Sequence, residues 1–288
     1  RFARLLLTGF DEVSTLRFGT IDLVRSDWRR YPKNIAKFEN DPILEGSVEV
    51  DNTNFEVGSV NVEENALNQP PYVLPPGIDR QVLSGNAGAQ RQNEASLYMK
   101  ATELLSNEAR GVFKNMTLDM RRYKKLKVFV HAQDPTNSDL NIGQIDEKTK
   151  FFIRFGSDAT DNYYEYEASL KLTPKTATTP MEIWPMENEV DLEIQNFVDA
   201  KIRRDKNNST NITDRIADPE FDEGTNFRKI YTKGRPSLGN VTTIMVGIRN
   251  APDRGKSSID RVLWVNEIRL SEIENDGGNA GNASLNFN

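Results

Sequence analysis

Apolar and polar residues alternate along LWVNEIRLSE, Leu263 to Glu272, with the two-residue period of a strand that buries one face. A related stretch, LRFGTIDLVR, stands at Leu16 to Arg25, where Leu16, Phe18, Ile21 and Leu23 fall at the places of Leu263, Val265, Ile268 and Leu270. Upstream of each lies a second apolar run, LLLTGF ending at Phe10 and TIMVGI ending at Ile248, and the later copy carries the longer connecting loop. Surface loops accept such insertions at small entropic cost. Alternation carries little information, so two unrelated amphipathic strands can align this way. Read instead as a repeated closing hairpin, the pattern has the chain open on the end of one domain and then hold a complete second one.

On that reading residues 1–45 are the closing strands of an upstream sandwich domain. Residues 46–92 form a proline-rich connector with one short strand at Phe55 to Val62. Paired prolines at 70–71 and 75–76 fix φ and remove backbone donors, so this stretch is expected to be stiff and to stay out of any core. Residues 93–274 carry the main domain. Leu97, Met99 and Ala101 share one strand face, as do Leu126, Val128 and Val130. FFIRF and YYEYEASLKL flank the turn GSDATDN as a hairpin, with Tyr164, Tyr166, Ala168, Leu170 and Leu172 on one side. One helix is predicted in ENEVDLEIQNFVDAKIRR, where Val190, Ile194, Phe197, Val198 and Ile202 follow the 3.6-residue period. Residues 205–226 read as a long polar loop, and the glycine-rich stretch after 274 as a linker. About eight strands and one inserted helix make a mainly β protein, two packed antiparallel sheets in a jelly-roll-like sandwich of the carbohydrate-binding-module kind.

Composition narrows the chemistry. The 288 residues hold no cysteine and one histidine, His131. Thiol catalysis, disulfides, histidine triads and multi-histidine metal sites therefore cannot be built from this chain alone. No enzymatic function is expected. His131 alternates in phase with Lys127, which predicts an exposed or loop-facing imidazole. A formal charge of −6 disfavours nucleic acid as a partner. With 37% hydrophobic residues and a mean hydropathy of −0.62, a thin core or long polar loops are expected. No apolar run is long enough to cross a bilayer as a helix.

Few residues suggest a site. Asp158 and Asp161, with Asn162 and with Asp146 and Glu147 nearby in sequence, could offer hard oxygen ligands to calcium, although acidic residues in a hairpin turn more often only favour the turn. No metal or other cofactor is assigned. Tyr163, Tyr164 and Tyr166 could stack on a glycan or a peptide, or could simply fill a sheet face. The basic run RRYKK at 121–125 reads as a solvated turn, and GNAGAQ lacks the glycine spacing of a nucleotide loop.

Longer strings carry more. RFARLLLTGF, TLRFGTIDLVRSDWRRY, PPYVLPPGI, RGVFKNMTLDMRRYKKLKVFVHA, RFGSDATDNYYEYEASLKLTP, IWPMENEVDL and RVLWVNEIRLSE together resemble the SprA/Sov family, giant outer-membrane translocon proteins of the Bacteroidetes type IX secretion system that are also needed for gliding motility. The resemblance runs over nearly the whole chain. It implies a soluble insertion of a very large single-chain β-barrel through which folded cargo crosses the outer membrane. Implied partners are the remainder of the barrel chain, a lipid-facing protein, a periplasmic plug and secreted cargo in transit. NASLNFN in 275–288 would then begin a barrel strand, with Leu285 and Phe287 toward lipid. Long extracellular loops are the rule for such barrels, which places the domain on the cell surface, a periplasmic position being the alternative. The family transports, so the resemblance brings no catalytic residues. The competing reading from composition is a carbohydrate-binding or adhesin-type module.

Overall fold

Two antiparallel sheets account for the alternating segments in the computed structural model, which describes residues 28–36, 53–80, 93–136, 139–207, 210–221, 227–252 and 257–273. In chain order the strands are β1 (Arg29–Arg30), β2 (Asn54–Asn61), β3 (Ala95–Leu104), β4 (Ala109–Leu118), β5 (Tyr123–Gln133), β6 (Ile145–Gly156), β7 (Tyr163–Lys171), β8 (Val190–Glu193), β9 (Ile216–Ala217), β10 (Lys229–Lys233), β11 (Val241–Asn250) and β12 (Ile259–Ile273). Short helices α1 (Val62–Asn65) and α2 (Pro180–Ile183) and a longer α3 (Gln195–Lys206) interrupt them. The larger sheet runs β1-β4-β11-β6-β7-β10-β9 and the smaller β2-β3-β12-β5-β8. The mainly β sandwich expected from the alternation is the fold.

The core lies between the sheets. Phe151, Ile153 and Phe155 of β6 sit opposite Ala168, Tyr166 and Tyr164 of β7 in the predicted hairpin, and Ile244, Val246 and Ile248 of β11 continue that face. Leu126, Val128 and Val130 of β5 meet them from the smaller sheet, with Leu263 and Val265 of β12 beside them. Side chains of one face close over those of the other, as the period-2 pattern requires.

Four expectations about strands, helix and boundaries are corrected first. First, the apolar runs around Ile248 and Leu263 do not form a hairpin. β11 lies in the larger sheet between β4 and β6, and β12 in the smaller between β3 and β5, so the intervening loop crosses from one sheet to the other. Residues 1–27, where the similar pair stands, lie outside the described residues, as do 37–52 and 274–288. Second, the boundary at 93 fails: β1 pairs with β4 and β2 with β3, so residues upstream of it belong to both sheets.

Third, the helix starts later than its apolar stripe. Val190, Leu192 and Ile194 are all buried at a two-residue spacing, and Val190–Glu193 pairs along Lys125–Val128 at the edge of the smaller sheet. Only after the Ile194 amide bonds to the Lys124 carbonyl, at 2.8 Å, does the chain turn helical. Phe197 and Ala200 then face inward, while Ile202 is exposed. Fourth, the segment after residue 205 is more than loop, since β9 extends the larger sheet.

Both outer faces are covered as well. On the smaller sheet the proline-rich stretch lies across β3 and β12, with Tyr72 buried against Trp184 and Trp264. The Tyr72 hydroxyl is 2.7 Å from the Ser96 hydroxyl, and the Trp184 indole donates to the Val73 carbonyl at 2.8 Å. The expected bare connector is thus a core element. It lacks donors at its prolines, but its apolar side chains have a sheet face to cover. On the larger sheet residues 31–36 follow β4, the Ile35 amide bonding to the Ala109 carbonyl at 3.0 Å, and Ile35 packs with Phe152 and Met245.

This second cover depends on two glycines facing each other, Gly111 of β4 and Gly247 of β11. The Phe152 ring lies across them. A Cβ on Gly247 would meet the Arg110 carbonyl oxygen and the edge of that ring. Gly247→Ala is therefore expected to destabilise the fold by about 1–3 kcal/mol through overpacking, read as a lower urea midpoint. An unchanged midpoint would mean that the ring moves aside freely.

Candidate functional site

Tyr163, Tyr164 and Tyr166 are interior residues. Tyr164 and Tyr166 point into the core, where Tyr164 meets Phe155 and Phe197 at ring distances of 5.8 and 6.0 Å. Burial pushes the Tyr164 hydroxyl up to about 12. Tyr163 points outward but lies beneath the Arg154 guanidinium, 4.2 Å from its ring centre, and is fully buried. The expected glycan or peptide surface is therefore corrected: β7 is buried on both faces, so none of the three rings meets solvent.

What β7 presents on its outer side is charge. Glu165 lies opposite Arg154 of β6 in the hairpin register, and Glu167 opposite Phe152. Arg154 bonds through Nε to Glu165 and through Nη1 to the Ala159 carbonyl at 3.0 Å. Arg249 of β11 reaches across β6 to Glu167, Nε to Oε2, at 2.7 Å. Arg215, just before β9, donates from Nε to Glu165 at 3.0 Å and from Nη2 to Glu167 at 2.8 Å. Its guanidinium stacks 3.2 Å from the Tyr231 ring centre. Burial, followed by the charge of Glu167, pushes the Tyr231 hydroxyl up to about 12.

Three guanidiniums thus enclose two carboxylates with almost no solvent contact. Glu165 is 0% exposed, Arg154 1% and Arg249 4%. Burying ions is costly, and the return lies in directional bonds that one arrangement alone satisfies. Here they fix β6, β7 and β11 in order and fasten the segment before β9 onto the sheet. The register of the hairpin would have placed Glu165 beside Arg154. The arrival of Arg215 from a polar loop carried no sequence signal.

The candidate calcium ligands have other work. Asp158 accepts bonds from the amides of Thr160, Asp161 and Asn162 at 3.0, 2.6 and 3.0 Å, and from the Asn162 side chain at 2.9 Å. Burial opposes its charge, but these bonds outweigh that and hold its carboxyl below the ordinary value. Asp161 is exposed, with the Lys233 ammonium at 3.9 Å. Asp146 lies elsewhere, buried, paired with Arg261 at 2.8 Å and bonded to Thr149. The structure does not bring Asp146 and Asp158 together, and among the described residues no three acidic or imidazole groups cluster.

His131 is fully buried, which corrects the exposed position its alternation predicts. Its Nδ1 lies 2.8 Å from the Ile183 carbonyl, and its ring stacks at 4.0 Å on Trp264, with Trp184 edge-on at 6.1 Å. Burial drives the imidazole down to about 4. The reason is the cover over the smaller sheet. Lys127, two residues short of Phe129 on the same strand face, stays partly exposed beyond that cover and pairs with Asp191 at 2.9 Å. The sequence held a signal in RVLWV: apolar residues on both faces of one strand mark it as buried twice.

A family model, SprA_N, described as a motility related/secretion protein, matches residues 1–288. The chain belongs to this family. No curated protein matches the SprA_N chain. Among solved structures it is similar to the family 11 carbohydrate-binding module from Clostridium thermocellum in complex with a β-1,3-1,4-mixed-linked tetrasaccharide, at 11% identity and a TM-score of 0.29, over 77% of this chain and 90% of that one. The family 11 module of the cellulosomal cellulase Lic26A-Cel5E of the same organism also matches, at 11% identity and a TM-score of 0.29, over 82% and 97%. These likenesses carry no argument about function. No helix among the described residues of the SprA_N chain is long and apolar enough to cross a membrane.

Proposed function

We propose that this SprA_N region is a non-catalytic structural module of an outer-membrane protein translocon, standing on the extracellular side and framing the path of exported cargo. The family supplies the motility and secretion role. One observation supports the finer reading: the chain itself covers the centre of both outer sheet faces, with Tyr72 and Trp184 over one and Ile35 and Arg215 over the other. A sandwich built this way is a rigid block. Among the described residues the aromatic side chains of both outer faces lie under cover, which speaks against the carbohydrate-binding alternative. The chain also holds no cysteine, and its one histidine is locked against Trp264, which leaves little for nucleophilic or acid–base chemistry.

Absence of cysteine makes a direct experiment possible. In the whole protein, with any cysteine outside these 288 residues replaced by serine, and in cells that export cargo, a cysteine introduced as Leu140→Cys at the exposed Leu140 is treated with a membrane-impermeant maleimide. Labelling in intact cells is the expected result, whereas labelling only after the outer membrane is opened assigns the periplasmic side. In the same cells, deletion of residues 28–273 is expected to abolish cargo export, and undiminished export would overturn the structural role.

A further inference from the structure

The geometry points to a binding site for a phosphate-class oxyanion in the cleft between the C-terminal half of α3 and the turn after β10. Lys201, Arg204 and Asp205 share one face of α3 at the three- and four-residue spacing of a helix, and Arg235 faces them from the turn. The cleft has a volume of about 450 Å³, within the span of roughly 300–1,000 Å³ usual for small-ligand sites. Thr210 adds a hydroxyl to its wall.

The charges in the cleft do not balance. Asp205 is the one carboxylate among its lining residues, and Arg204 occupies it through both Nε and Nη2, at 2.9 and 2.7 Å. Among the described residues Lys201 donates to the neutral Pro236 carbonyl, at 2.8 Å, and to no carboxylate. Arg235 is held through its backbone amide, which bonds to the Asn162 side chain at 2.9 Å, and among the described residues no carboxylate pairs with its guanidinium. Arg204 itself is 5% exposed, and its Nη1 has no hydrogen-bond acceptor. That nitrogen is enclosed by protein, so an oxyanion in the cleft is met by Lys201 and Arg235, with Arg204 adding its charge from behind the wall.

Two terms oppose an anion here. The end of α3 carries a partial negative charge of about half an electron, and the chain as a whole is acidic at −6. Neither prevails. Three cations against one carboxylate exceed the helix term several-fold, and beyond a Debye length of about 8 Å at physiological salt the remaining acidic groups are screened. A solvated basic face would show exposed cations with mobile partners. Here Lys201 and Arg235 meet across a cleft that is backed by a buried arginine.

The test is a titration of the 288-residue chain with inorganic phosphate at constant ionic strength, chloride being the reference, followed by calorimetry and by melting temperature. A single saturable site is expected, with affinity about tenfold weaker in Arg235→Gln and in Lys201→Gln, since each removes one charge-assisted contact. Both positions lie at the cleft surface, so these variants keep the proposal testable even if Arg204→Gln fails to fold. Phosphate that acts no differently from chloride, or binding of wild-type strength in both variants, overturns the assignment. Sedimentation with vesicles containing phosphatidylglycerol, compared with phosphatidylcholine alone, then separates the two carriers of the phosphate: co-sedimentation assigns a lipid headgroup, and saturable phosphate binding without it assigns a soluble phosphate.

Discussion

Replacing Glu165 by alanine is expected to cost about 3–5 kcal/mol of folding stability, because it strands buried arginines rather than merely deleting a contact. Arg154, Arg215 and Arg249 each lose a contact with the Glu165 carboxylate, while Glu167 still faces Arg215 and Arg249. Urea unfolding of the wild type and Glu165→Ala measures the loss. A companion substitution at an exposed pair, Arg121→Gln beside Asp119, is expected to leave the urea midpoint almost unchanged. Should Glu165→Ala cost no more than Arg121→Gln, the network is hydrated and does not fasten the segment before β9.

Mild acid is the second large perturbation, and it acts through one residue. His131 takes up its proton near the ordinary value of 6.5 once unfolded, but only near about 4 in the folded chain. Between those values the unfolded state binds more protons, so stability falls as pH falls, by about 1.4 kcal/mol per pH unit. The loss is about 2 kcal/mol by pH 5 and about 3 kcal/mol by pH 4. Groups such as Asp158 and Glu187, whose carboxyls are held below their ordinary values of 3.8 and 4.5, contribute stability that starts to be lost as pH falls through those values, so they add to the fall only at the acid end of the His131 window. His131→Phe keeps a ring against Trp264 and is expected to flatten the stability profile between pH 6.5 and 5. A profile in that variant as steep as the wild type's would remove His131 from the account.

Much of this fold could be read from the chain before any coordinates. Leu126, Val128 and Val130 declared their strand face, and the hairpin around Gly156 to Asn162 was set by turn residues between two alternating arms. What could not be read is pairing between distant segments. The period of a strand says which side chains share a face but not what covers that face. Hence His131, polar and in phase with Lys127, looked exposed although Tyr72 and Trp184 come from far away to enclose it. Hence also Tyr163 and Tyr164 suggested a ligand platform although β7 lies in the middle of a sheet covered on both sides. The helix was misplaced for a local reason: the strand of Val190 and Leu192 runs straight into the first turn of α3, and Val190 with Ile194 fits both periods.

The site residues were legible only as chemistry without place. Acidic residues in GSDATDN announced a turn, and Asp158 spends its oxygens there. Arg204 reads from the sequence only as a charge that suits a helix end, and nothing in the chain singles out Lys201 or Arg235. Only the fold sets Arg235 across from α3.

The central places of β11 and β12 bear on how the chain is made. As the polypeptide leaves the ribosome, β3, β4, β5 and β6 emerge long before the strands that will lie between them, and each must wait with its hydrogen-bonding edge and its apolar side bare. The larger sheet cannot zip up until residues near 245 have been synthesised, nor the smaller until residues near 265. Nascent chains of this kind depend on holdase chaperones during that interval, and a stalled or truncated product is expected to aggregate.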